Sequence, residues 1–194
     1  MKYCSVVARF QWLLLVCLGG LSGPVWGQLP AGPISQAHRF VYQEVVPVAG
    51  VSQSDLVRQA RAWAQRVSPA GQFPVLTSGP DTEVIRTTGV CPFAYDWGGK
   101  ALLCELRYTA TISVREGRYR YEVKEFVFVQ PGAGRDPDST TPVETYYNGN
   151  FHPYNEIASR FQMTMRTCFT EIVNEELARL QEGMRTPTSK AGSE

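Results

Sequence analysis

From Leu106 to Arg115 the chain alternates strictly. Leu106, Tyr108, Ala110, Ile112 and Val114 are apolar, while Arg107, Thr109, Thr111, Ser113 and Arg115 are polar. A period of two sends successive side chains to opposite faces of a strand, so one face here is dry and the other wet. Glu116-Gly117 supplies a turn, and Arg118 to Val129 returns as a second strand. Pairing about that turn sets Val114 against Tyr119, Ile112 against Tyr121 and Ala110 against Val123 on the apolar face. Ser113 then meets Arg120, Thr111 meets Glu122 and Thr109 meets Lys124 on the polar one. The alternation slips near Glu125, where Phe126 and Phe128 join the apolar set, and a β-bulge accounts for the slip.

The other elements follow from weaker signals. His38 to Val46 is dense in Val, Phe and Tyr and reads as a strand stopped by Pro47. Ser52, with Asp55 three residues on, resembles a capping box that opens a helix. Leu56, Ala60, Trp63, Ala64 and Val67 then share one helical face, and Ser68-Pro69-Ala70-Gly71 ends the run. Thr82 to Val90 is a strand after the turn at Gly79-Pro80-Asp81. A long loop runs from Pro131 to about Pro153. Ile157, Phe161, Met165, Cys168, Phe169, Ile172, Val173, Leu177 and Leu180 mark a long amphipathic helix, with Gly183 suited to its stop. The order β-α-β-β-β-α predicts an α+β fold, an antiparallel sheet with helices packed on one face.

The first 27 residues have the pattern of a secretory signal peptide. Lys2 and Arg9 precede the apolar run opened by Trp12-Leu13-Leu14-Leu15, and Val25 and Gly27 are small enough for the −3 and −1 positions of a cleavage site. An uncleaved anchor and a lipoprotein at Cys17 are the alternatives; Val16 is large for the residue before a lipidated cysteine. The expected layout is signal peptide 1–27, linker 28–37, one domain over 38–183 and a disordered tail over 184–194, in a periplasmic, cell-surface or extracellular setting. Removal of Lys2 and Arg9 leaves 17 basic residues against 18 acidic ones. A nearly neutral chain has no excess of cations with which to displace phosphate counterions, so nucleic acid is not an expected partner. No apolar run reaches the length of a transmembrane span.

Cys91, Cys104 and Cys168 remain after cleavage. In an oxidising compartment a pair is expected to bridge. A hairpin centred between Trp97 and Gly98 would set Cys91 opposite Cys104, within reach of a disulfide, leaving Cys168 as a buried thiol.

Two segments resemble a known bacterial family. Val51-Ser52-Gln53-Ser54-Asp55-Leu56 running into Ala62-Trp63 is one, and Ile112-Ser113-Val114-Arg115-Glu116-Gly117-Arg118-Tyr119-Arg120 is the other. Together they are similar to domain of unknown function 4468, over about residues 38–130 of this chain. In that family a serine, acidic residue, leucine start precedes a Trp-containing helix, and a lysine, aspartate, glycine, arginine turn leads into an Arg/Tyr strand. The turn here is Arg115-Glu116-Gly117-Arg118. The resemblance implies a TBP-like fold and an envelope location. It carries over no catalytic residue, and a TBP-like shape does not imply DNA binding.

Motifs for catalysis are missing from the sequence. There is no G-x-S-x-G elbow, H-E-x-x-H, CxxC or Walker-type loop, and the two histidines, His38 and His152, are too few for a His-rich metal site. The expectation is a non-enzymatic binding module without cofactor or metal. Its first candidate surface is the polar sheet face of Arg107, Thr109, Thr111, Ser113, Arg115, Arg118, Arg120 and Lys124. That face suits an anionic glycan, a lipid headgroup or an acidic envelope protein, or it is simply a wet face. The second is the aromatic loop of Tyr146, Tyr147, Phe151 and Tyr154, which either anchors a partner or packs over an open end of the core. A structural accessory domain of an envelope assembly is the alternative function, and an unfamiliar hydrolase in the 131–155 loop a third.

Overall fold

A computed structural model describes residues 39–132, 137–147 and 155–185. The signal peptide, the linker, His38, His152, Phe151, Tyr154 and nearly all of the tail lie outside these residues. Six strands and two long helices follow in the order β1 (Val41–Pro47), α1 (Gln53–Val67), β2 (Val75–Ser78), β3 (Glu83–Trp97), β4 (Lys100–Arg115), β5 (Arg118–Gln130), β6 (Ser139–Pro142) and α2 (Glu156–Arg185). The fold is α+β. The antiparallel sheet runs β1-β5-β4-β3-β2, and β6 continues the β1 edge farther along β5. Two short strands, β2 and β6, therefore add to the expected order, and β3 continues through Pro92 to Trp97.

The alternating hairpin pairs as its sequence dictates, with Val114↔Tyr119, Ile112↔Tyr121, Thr111↔Glu122 and Thr109↔Lys124. Its apolar face is the floor of the core, where Leu106, Tyr108, Ala110, Ile112, Val114, Tyr119 and Tyr121 are all buried. The bulge is real: between Thr109↔Lys124 and Arg107↔Val127 strand β5 carries one residue more than β4. Glu125 sits there with φ of 59°. An L-residue in this left-handed region costs roughly 1–2 kcal/mol, which glycine does not incur. Glu125→Gly is therefore expected to raise stability by about 1 kcal/mol, read as a higher urea midpoint.

Both helices cover the apolar face. Ser52 caps α1, its Oγ accepting from the Asp55 amide at 3.2 Å. Leu56, Ala60, Trp63, Ala64 and Val67 are buried. At the other end the Ser68 hydroxyl donates to the Ala64 carbonyl at 2.7 Å and meets the Thr87 hydroxyl of β3 at 2.6 Å. Helix α2 buries Met165, Cys168, Phe169, Val173, Leu177, Leu180 and Met184. It runs on past Gly183 to Arg185, and Ile157, expected on its dry face, is exposed. No described helix is long and apolar enough to cross a membrane.

One inward position of β1 carries a carboxylate. Glu44 of β1 accepts a hydrogen bond from the Tyr121 hydroxyl at 2.9 Å and another from the Gln181 amide of α2 at 3.1 Å. Both donors satisfy a carboxylate that would otherwise be costly beside the core.

Candidate functional site

The turn that joins β3 to β4 corrects the cysteine pairing. Gly98 and Gly99 have φ of 63° and 82°, and Trp97 pairs with Lys100. A two-residue turn of this hand needs positive φ at both central positions. Two glycines supply it, whereas a turn centred between Trp97 and Gly98 would impose it on Trp97. The one-residue displacement sets Cys91 opposite Leu106 and Cys104 opposite Phe93. None of Cys91, Cys104 and Cys168 is joined in a disulfide. The expected Cys91–Cys104 bridge is absent, because the two stand on a diagonal rather than as a facing pair.

Two of these thiols, Cys91 and Cys104, are held protonated. Burial, then the Glu176 carboxylate, pushes the Cys91 thiol from its ordinary 9.0 up to about 12. Burial pushes Cys104 to about 11. Burial also raises the Tyr42 and Tyr95 phenols from 10.0 to about 12, with Cys104 adding to the rise at Tyr95. In each case the fold favours the protonated form. The stabilisation is complete below the unfolded-state values and is lost as pH rises through the folded ones. The melting temperature is expected to fall steadily from pH 9.0 toward about 12, and a thiol reagent to label native Cys91 and Cys104 far more slowly than the urea-unfolded chain. Circular dichroism melts and a thiol titration check both.

The aromatic loop divides. Tyr146 is buried, and Tyr147 is half-buried, with its ring edge-on to Phe40 at 4.7 Å and to Phe169 at 6.0 Å. The Tyr146 carbonyl accepts from Arg166 Nε at 2.6 Å and Gln162 Nε2 at 2.8 Å. The Tyr147 hydroxyl donates to the Arg166 carbonyl at 3.1 Å, beneath a guanidinium 4.9 Å from its ring. These two tyrosines close one end of the core and are not exposed anchors.

The polar sheet face comes together as the alternation dictates. Its rows read Val45–Arg120–Ser113–Val84, then Gln43–Glu122–Thr111–Arg86, then Val41–Lys124–Thr109–Thr88. Arg115 and Arg118 flank one end, with Arg115 Nε donating to the Thr82 hydroxyl at 2.8 Å. Arg86 and Thr88 belong to this face but escape a reading of the sequence, because Thr87 and Gly89 interrupt the apolar side of β3. Several charges are internally paired. Lys124 Nζ is 2.6 Å from Glu122 Oε1, and Arg120 is 3.6 Å from Glu122 Oε2 and donates to Gln43 Oε1 at 2.8 Å. Arg107 is held by Glu105 of its own strand at 2.8 Å. The result is a mixed hydrogen-bonding surface rather than a field of one sign. At its β1–β5 side lies a groove of about 390 Å³ lined by Arg39, Val41, Gln43, Arg120, Glu122, Lys124 and Glu125.

No family model matches the sequence, and no curated protein does. Solved structures do match in shape. A TBP-like protein from Parabacteroides distasonis superposes with a TM-score of 0.48 at 14% identity, over 77% of this chain and 97% of that one. A DUF4468 family protein from Bacteroides ovatus superposes with a TM-score of 0.57 at 11% identity, over 82% of this chain and 94% of that one. The chain thus has the fold of the DUF4468 structure, an antiparallel sheet with its helices on one face.

Proposed function

We propose that the protein is an exported, non-enzymatic binding module whose working surface is the outer face of its sheet. The observation that carries this reading is the one-sidedness of the architecture. Both helices lie on the inner face, while the outer one presents Arg86, Arg107, Arg120 and Lys124 around rows of threonine and serine hydroxyls. Export is supported by the pattern of the first 27 residues. The ligand classes that suit the face are an anionic glycan, a lipid headgroup or an acidic protein surface.

Exposed ion pairs contribute about 1 kcal/mol or less to stability, so reversing their charge should leave the fold intact. The Arg107→Glu, Arg120→Glu double variant is expected to keep its melting temperature within a few degrees and to lose its partner in a cross-linked pull-down from the native envelope. Equal recovery by wild type and variant would overturn the reading.

A second reading, a structural accessory domain of an envelope assembly, rests on the β3 edge. Strand β2 pairs only with Glu83–Arg86, so among the described residues β3 from Thr87 to Trp97 has a neighbour on one side alone. Exposed Leu102 and Leu103 lie beside its end. An open edge can accept a partner strand. Association that increases with concentration in sedimentation would favour this reading, and a strict monomer would count against it.

A further inference from the structure

We propose that the groove between β1 and β5 is a binding site for a singly charged acidic sugar, a uronate. This deepens the reading above and rests on it. Three cations, Arg39, Arg120 and Lys124, face two carboxylates, Glu122 and Glu125, around the Val41 side chain and the Gln43 amide. The groove carries one net positive charge, which matches one carboxylate. A dianion such as phosphate would meet Glu122 and Glu125 as like charges. A divalent metal would meet three cations. A sugar uses both signs: its carboxylate pairs with a guanidinium fork, while its hydroxyls donate to carboxylates and exchange hydrogen bonds with an amide. The volume of about 390 Å³ lies in the range of small-ligand sites.

Two features prearrange these groups. Glu122 holds Lys124 at 2.6 Å and stands 3.6 Å from Arg120, and Gln43 accepts from Arg120 at 2.8 Å, so both β5 cations are already oriented. Independently, Glu125 keeps a positive φ of 59° at the bulge. Bulges re-aim side chains, and a conformation that glycine would adopt without strain is taken here by a glutamate that lines the groove.

Isothermal titration calorimetry with monomeric galacturonate, its neutral hexose counterpart galactose and inorganic phosphate tests the site. The wild-type protein is expected to bind the uronate and neither of the others. Arg39→Ala should weaken it about tenfold. Glu125→Gly should weaken it too while melting higher than wild type, a combination that a purely structural glutamate would not give. Binding of phosphate as tight as that of the uronate, no uronate binding, or uronate affinity unchanged in both variants overturns the proposal. If the uronate fails while the Arg107→Glu, Arg120→Glu variant still loses its envelope partner, the sugar site falls and the binding face stands.

Discussion

Gly89→Ala is expected to destabilise the protein by about 3 kcal/mol or more, a large share of the stability of a domain this size. A Cβ built at Gly89 would lie 2.1 Å from Cζ of Tyr108 and 2.3 Å from its Cε2. The two residues are direct cross-strand partners, and the tyrosine ring lies across the glycine. Tyr108 is itself buried, in contact range of Phe126 with ring centroids 5.9 Å apart, so it cannot swing away without disturbing a packed neighbour. The requirement is one of space, not of backbone conformation. Tyr108→Phe should give no relief, because Cζ remains. In a Tyr108→Leu background the same Gly89→Ala change should become neutral or mildly stabilising, since alanine is otherwise better than glycine in a strand. Urea unfolding of the wild type, Gly89→Ala, Tyr108→Leu and the double variant measures the coupling. A Gly89→Ala protein as stable as wild type with Tyr108 intact would refute the argument.

Phe169→Ala should cost about 3–5 kcal/mol. Its ring is the hub at which α2 meets the β1–β5 side of the sheet, with centroids 5.1 Å from Phe126, 5.2 Å from Phe40, 6.0 Å from Tyr147 and 6.2 Å from Tyr42. Three of these four contacts are edge-on, the geometry that ring quadrupoles favour. Truncation leaves a void bounded by rings of β1 and β5 and of two flanking segments, at Phe40 and Tyr147, which limits collapse. Ile157→Ala on the same helix is the control: Ile157 is 62% exposed, so the change should fall within about 0.5 kcal/mol. Equal costs at both positions would mean that α2 is docked differently.

Local patterns were legible in the sequence and long-range pairings were not. The β4–β5 register was legible residue by residue because the alternation, the Gly117 turn and the slip at Glu125 all lie within one hairpin. The α1 cap and its buried stripe were legible for the same reason. Strands β2 and β6 were not: each is four residues long and mostly exposed, so neither shows an apolar period. The groove was only half visible. Arg120 and Lys124 stand in the pattern, but Arg39 and Gln43 reach them through a pairing of strands about eighty residues apart, which no local signal encodes. Tyr146 and Tyr147 show a further limit, since an aromatic run looks the same whether it turns outward or closes a core.

Helix α2 spans thirty residues, and its apolar stripe repeats with little variation. Such a stripe could slide by one turn, 5.4 Å, and still bury hydrocarbon. Polar contacts near both ends oppose that shift: Arg166 and Gln162 grip the Tyr146 carbonyl, and Gln181 reaches Glu44 across from Tyr121. A slipped helix would strand the Glu44 carboxylate without its amide and the tyrosine carbonyl without its cation. These few hydrogen bonds therefore act as a vernier on the helix. They add little to the depth of the native state but a great deal to its uniqueness, and they make α2 a fixed strut rather than a moving part.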